Sequence, residues 1–181
     1  MTRQALLDAA SSLLDSGGVD AVTLRDVGSG AGVSRTAAYR HFSDKDDLLM
    51  AVATEAWDSL AAQLNAISDD ASRSPDAALR DALGALMHIG RARPHLYRLM
   101  FAQPAGNPAA AIQAASTAQE QFLAIVGRKV GLERAHPIAG LLLSAAHGIT
   151  DLELSGHLAA EKWHADGKQL IDLLAEIVPA Q

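Results

Sequence analysis

The chain has no cysteine. Disulfides and thiolate metal sites are excluded, and any metal centre would have to be built from His and carboxylates. Aromatic residues are scarce, at 4 % of 181 residues. The core must therefore be mostly Ala, Leu, Ile and Val, and an alanine-rich chain with few β-branched runs favours helix. No apolar run reaches the roughly 18 residues of a membrane span, so no membrane partner is expected. The N-terminus lacks a signal-peptide pattern, and a cytoplasmic location is expected. Catalytic signatures are also missing: there is no Gly-x-Ser-x-Gly and no His-Glu-x-x-His. Gly28-Ser29-Gly30 resembles a phosphate loop only superficially, because no Lys-Ser or Lys-Thr follows it. No catalytic residue, cofactor or metal is expected, and the chain is read as not an enzyme.

Positive charge is in short supply as well. Lys and Arg total 15 against 21 Asp and Glu, a net charge of −6. Taken alone, that argues against a nucleic-acid partner. The distribution tells more than the sum. Residues 1–45 hold Arg3, Arg25, Arg35, Arg40 and Lys45 against Asp8, Asp15, Asp20, Asp26 and Asp44, and are neutral. The acidic excess lies wholly in residues 46–181, where it would repel DNA from all but one face. Non-specific affinity for DNA should be modest.

What is present is concentrated in Thr23 to Lys45, TLRDVGSGAGVSRTAAYRHFSDK. Thr23 can cap a helix and Asp26 can complete a capping box. Leu24 and Val27 share one face of that helix, with Ala31 at the next repeat. Gly32 stands where the chain must leave it, in a conformation that costs glycine little. Val33 would pack inward, and Ser34 caps the next helix. In that helix Ala38 and Phe42 share an inward face, while Arg35, Thr36, Arg40 and His41 point largely elsewhere. Ser43 and Asp46 form a further capping box opening a long helix. Two short helices about a tight turn are a helix-turn-helix, which places its second helix in the DNA major groove. Arginine near the start of such a helix reaches guanine edges. Tyr, His and Lys near its end suit phosphate oxygens.

Gly17-Gly18, Ala21-Val22-Thr23-Leu24-Arg25, Ala31-Gly32-Val33-Ser34, Tyr39-Arg40-His41-Phe42, Lys45 and Leu48-Leu49 together resemble the N-terminal domain of TetR-family transcriptional regulators. The resemblance covers roughly residues 1 to 50. It implies an all-α homodimer whose N-terminal domains bind a double-stranded operator and whose larger C-terminal domain dimerises and often holds a small effector. By family position, Arg35, Thr36, Ala37 and Arg40 fall where bases are met. Thr23, Tyr39, His41 and Lys45 fall where phosphates are met, and Arg25 joins this DNA-binding set. Two departures stand out. The first motif helix carries Gly28 and Gly30, which should weaken it by about 1 kcal/mol each relative to Ala. Ala38 occupies a position where a larger apolar residue is usual. A soft DNA-binding domain is expected, further ordered by the operator.

Apolar periodicity predicts about nine helices and no strand. Leu6, Ala10, Leu13 and Leu14 form a stripe ended by Gly17-Gly18. A long helix runs from about Asp44 through Leu49, Ala53, Trp57, Leu60 and Leu64. Ser74-Pro75 starts another, Pro94 a short one, and Asn107-Pro108 a further one that Gly131 ends. Pro137 begins the next, and Leu170, Leu173, Leu174, Ile177 and Val178 make the last stripe. Residues 1–45 are read as the DNA-binding domain and 46–181 as the effector-binding and dimerisation domain. A second likeness joins Arg93 to Phe101 with Ala146-His147-Gly148-Ile149-Thr150-Asp151-Leu152, which resembles a TetR-family C-terminal domain marked by Trp, His and Gly. Here His147-Gly148 are present but no Trp lies near.

The helices at roughly 137–158 and 160–178 are candidates for a dimer interface, as a four-helix bundle across two subunits. Packing within the monomer is the competing explanation. An effector pocket would lie among the middle helices. Trp57, Met87, His88 and Tyr97 are candidates, with Met100, Phe101, Phe122 and His147. Large, soft apolar groups with a few polar atoms suit a small-molecule cavity, though the same residues serve equally as core. The reading is a dimeric, sequence-specific transcriptional regulator, a repressor released by an effector. A constitutive DNA-binding regulator without effector is the alternative, and an all-α enzyme or metal-binding protein is a second.

Overall fold

The computed structural model describes residues 2–103 and 108–179, and among these the secondary structure is entirely helical. The order is α1 (Thr2–Ala21), α2 (Leu24–Gly30), α3 (Arg35–His41), α4 (Lys45–Asp69), α5 (Pro75–Ala92), α6 (Pro94–Phe101), α7 (Ala109–Val130), α8 (Leu132–Leu154), α9 (Ala160–Trp163) and α10 (Gly167–Glu176). Of these, α9 is a single turn, and the other nine match the number of helices that the apolar periodicity predicts. Residues 1–58 and 93–115 form one compact unit, and residues 59–92 and 116–181 form another. Helices α4 and α7 contribute residues to both.

In the first unit α1 buries Leu6, Leu7, Ala10 and Leu14. Gly17 and Gly18 break its helical backbone, and Gly18 takes φ +71°. A Cβ at Gly18 would stand 3.0 Å from the His95 ring, so both conformation and space demand glycine. Arg93, just ahead of α6, grips Asp15 of α1 with N···O distances of 2.9 and 3.1 Å and also donates to the Ser11 hydroxyl. That contact holds α6 along α1. Trp57, Phe101 and Tyr97 stack edge-on and tilted, at 5.3 and 5.0 Å between ring centroids. Such pairs add about 0.5–1.5 kcal/mol each beyond buried area.

The second unit is built on α5 and α8. α5 buries Leu79, Ala82, Leu83 and Leu86. α8 answers with Ala135, Ala139, Leu142, Ala146 and Thr150, a stripe at helical spacing. The buried Thr150 hydroxyl donates 2.8 Å to the Ala146 carbonyl. Helix α10 is fastened at both ends. At its start, Arg91 forms a two-pronged pair with Glu153 at 2.7 and 2.6 Å, and Glu153 accepts the Gly167 N–H at 3.2 Å. At its end, the buried Lys129 ammonium donates 2.7 Å to the Ala175 carbonyl and pairs with Asp76 at 2.6 Å. Arg128 donates to the Ser68 and Arg73 carbonyls, which ties down the turn between α4 and α5.

Three local expectations need correction. The cap of α4 sits one residue later than Ser43 and Asp46: Asp44 accepts the Asp47 N–H at 2.8 Å, and Asp47 accepts from the Ser43 backbone at 2.9 Å. Helix α8 begins at Leu132 and contains Pro137 rather than starting there. Pro137 lacks the N–H that would meet the Glu133 carbonyl, but both residues are exposed and water can serve that carbonyl. The stretch 160–178 is not one helix. His164 turns left-handed at φ 52°, and Asp166 with Gln169 makes a full capping box that restarts the chain as α10.

Candidate nucleic-acid interface

Helices α2 and α3 follow from their caps. The Asp26 N–H donates to the Thr23 hydroxyl at 3.1 Å, and that hydroxyl donates to the Asp26 carboxylate at 2.7 Å. The Thr23 proton is thus spent inside the cap, so a phosphate contact through it requires the hydroxyl to rotate. Gly32 takes φ +67° at the turn, and Val33 N–H returns to the Gly28 carbonyl at 2.9 Å. The Ala37 N–H donates to the Ser34 hydroxyl at 3.2 Å and starts α3.

Ala38 and Phe42 anchor α3 and are buried, as the sequence spacing requires. Gly28 explains the small residue at 38. A Cβ at Gly28 would lie 3.7 Å from the Ala38 Cβ and 3.6 Å from the Val33 carbonyl oxygen, so α2 and α3 approach closely. Val33 itself is only half-buried. Arg3 lies over the Phe42 ring at 5.4 Å, a contact that no local sequence signal announces.

The opposite face of α3 is polar and open. Thr36, Tyr39, Arg40 and His41 are exposed, and Ala37 is half-buried among them. The Arg35 side chain lies outside the described set. Arg25 of α2 is exposed, and Lys45, the first residue of α4, is half-buried. Among the described residues, Arg25, Arg40 and Lys45 make no ion pair and no hydrogen bond through their side chains. An exposed helix with a cation aimed outward and an apolar pair holding it from behind is suited to a groove of DNA.

The eight effector candidates are divided evenly between the two units. In the first unit, Trp57, Tyr97 and Phe101 form the aromatic cluster already described, and Met100 is buried nearby on α6. In the second unit, Met87 and His88 line a groove of about 530 Å³ along α5. Phe122 lines a different hollow of about 400 Å³ between α7 and α8, together with Leu123, His136 and Ala139. His147 is half-buried on α8 and has an interaction partner. Among the described residues no group of three or more His, Asp or Glu converges as a metal site. No helix among them is long and apolar enough to cross a membrane.

These features define an all-helical protein with an N-terminal helix-turn-helix. Residues 6–52 match the family model of bacterial regulatory proteins of the tetR family, and residues 79–178 match the tetracyclin repressor-like C-terminal domain. The chain belongs to the TetR family and is a DNA-binding transcriptional regulator. It is 27% identical over 158 residues to an uncharacterised HTH-type transcriptional regulator of Mycobacterium tuberculosis, spanning 86% of this chain and 72% of that one. A structure from Rhodococcus sp. RHA1, of a protein with unknown function, superposes with a TM-score of 0.81 at 27% identity, over 97% of this chain and 92% of the other. The regulator RolR, solved in complex with resorcinol, shares the fold with a TM-score of 0.66 at 21% identity, over 99% and 88%.

Proposed function

We propose that this regulator is a homodimeric, operator-binding repressor released by a small-molecule effector. The observation that carries the DNA side is the outward face of α3, where Arg40 stands exposed and, among the described residues, unpaired, with Ala38 and Phe42 buried behind it. In this reading Arg35, Thr36, Ala37 and Arg40 meet bases. Thr23, Arg25, Tyr39, His41 and Lys45 meet phosphates. Residues 1–45 recognise DNA, and 46–181 dimerise and take the effector, all in the cytoplasm. His147-Gly148 support assigning the C-terminal domain to the Trp-His-Gly type.

Dimerisation is supported by apolar side chains left open on α8 and α10. Leu141 and Ile177 are each 65 % exposed, with Leu152 and Leu173 near half. Gly140 and Gly148 face open space on α8 and allow a second helix to come close. A two-fold dimer would present two α3 helices to half-sites roughly 34–36 Å apart. Resorcinol on RolR supports a small-molecule effector here, and the grooves of the second unit offer room for one. The effector would act by shifting the helix over 44–66 and so the spacing of the two α3 helices. It must bind the conformation that releases DNA more tightly than the one that holds it.

The test is light scattering on the full chain together with selection of duplexes from a random pool. A dimer that enriches a palindrome is expected. A monomer, or a pool with no enriched sequence, would contradict the proposal. In the same assay, Leu141→Glu with Ile177→Glu should yield monomers that lose operator affinity.

A further inference from the structure

Helix α5 carries at its centre a glycine that neither backbone nor packing requires. Gly84 has no positive φ, and a Cβ built there would meet nothing within 4 Å. Glycine in a helix interior costs about 1 kcal/mol relative to alanine. Its missing side chain leaves room in a groove of about 530 Å³ that Gly84 and Ala85 help to line. The buried Ile67, Met87 and Ile171 give that groove an apolar lining.

The groove is also cationic on a chain of net charge −6. Arg73, Arg80, Arg91 and Lys168 line it against Asp81 and Asp172. Three of the four cations are committed. Arg73 pairs with Asp70 and Asp81, Arg91 with Glu153, and Lys168 with Asp172. Arg80 differs. It approaches Asp172 and Glu176 only to 3.6 and 3.7 Å, and it makes no hydrogen bond among the described residues. Its planar fork of N–H donors matches a carboxylate with two parallel bonds. Arg80, Gly84 and Met87 follow one another along a single helix face, and Arg80 to Met87 spans about 10.5 Å.

We propose that this groove binds a small amphipathic carboxylate, its head group on Arg80 and its apolar tail running over Gly84 towards Met87. Because Lys168 already neutralises Asp172, the head group would replace two loose contacts rather than break a tight one. The proposal rests on the reading that this regulator answers a small molecule, and it names the site and the ligand class.

Calorimetric titration of the full chain tests it with three probes. Octanoate has both charge and tail, octanamide only the tail, and acetate only the charge. Octanoate should bind, and the other two should bind about tenfold or more weakly, the size of a lost charged hydrogen bond or lost apolar contact. Arg80→Gln should erase the preference for octanoate over octanamide. Gly84→Leu starts from a Cβ position with open space around it and places its side chain in the groove, so it should raise the melting temperature through helix propensity while abolishing octanoate binding. Equal binding of octanoate and octanamide, unaltered binding in either variant, or no octanoate binding would overturn the site. If octanoate binds through Arg80 but leaves operator affinity unchanged, the site stands and the effector reading fails. If some other small molecule releases DNA while octanoate does not bind, the groove alone fails.

Discussion

Arg25, Arg40 and Lys45 around the helix-turn-helix and most arginines and lysines of the helical body live under opposite conditions. In the body, Arg73, Arg91, Lys129 and Lys168 each hold a carboxylate, and Arg128 holds two carbonyls. Around the helix-turn-helix, Arg25, Arg40 and Lys45 hold no partner among the described residues. The first group closes turns and fastens α10, so its charge is used up in the fold. The second contributes nothing visible to the fold and remains available to an external anion. A net charge of −6 therefore says little about DNA binding here. What matters is which cations the fold has already taken.

That contrast can be broken by substitution, and the expected stability effects descend in order. Lys129→Met strands the Ala175 carbonyl without its donor, so chemical denaturation should show a loss of about 1–3 kcal/mol. An unchanged midpoint would mean the buried ammonium is not holding α10. Arg91→Ala should lose about 1 kcal/mol, because the pair is partly exposed and screened. It should also change the acid limb of the stability curve. The Arg91 hydrogen bonds hold the Glu153 carboxyl below its ordinary value of 4.5. Since the folded value is the lower one, the clamp contributes fully above the ordinary value and is lost as pH falls through the folded value. The parent should thus lose more stability than the variant across that acid window, and parallel curves would refute the clamp. Gly28→Ala should act in the other direction, stabilising by up to about 1 kcal/mol, since the new methyl meets Ala38 at ordinary contact distance. Slower amide exchange over residues 24–31 would accompany it, and no slowing would mean that α2 is not soft. Arg40→Ala should leave the melting curve within about 0.5 kcal/mol of the parent.

Much of the candidate interface was legible because its signals are local. Thr23 with Asp26, Gly32 and Ser34 each act within three or four residues, and each sits where the sequence places it. The inward faces of Ala38 and Phe42 follow from helical spacing alone. Local signals failed where two of them competed. Ser43-Asp46 and Asp44-Asp47 are both plausible caps, and the second prevails. Pro137 reads as a helix start, yet an exposed carbonyl lets the helix absorb it. Asp166-Gly167-x-Gln169 carried a legible capping box that the apolar stripe after Leu170 obscured. Gly167 itself is explained only in three dimensions: a Cβ there would lie 2.7 Å from the Glu153 carboxylate and 2.8 Å from the Met87 methyl. The side-chain contacts of Lys129, Arg91 and Arg93 that help to fasten α10 and α6 join residues 46 to 82 apart in sequence. No periodicity reveals such pairs. The same holds for the groove along α5, because its cations become meaningful only once their partners are known.

The most direct measurement is the affinity of the full-length parent and Arg40→Ala for the selected operator and for a scrambled duplex, by fluorescence anisotropy at one fixed salt concentration. Arg40→Ala is expected to lose about 1–3 kcal/mol per half-site on the operator while its weak binding to the scrambled duplex changes little, with stability unaltered. Equal losses on both duplexes, or none on either, would show that α3 does not read sequence through Arg40.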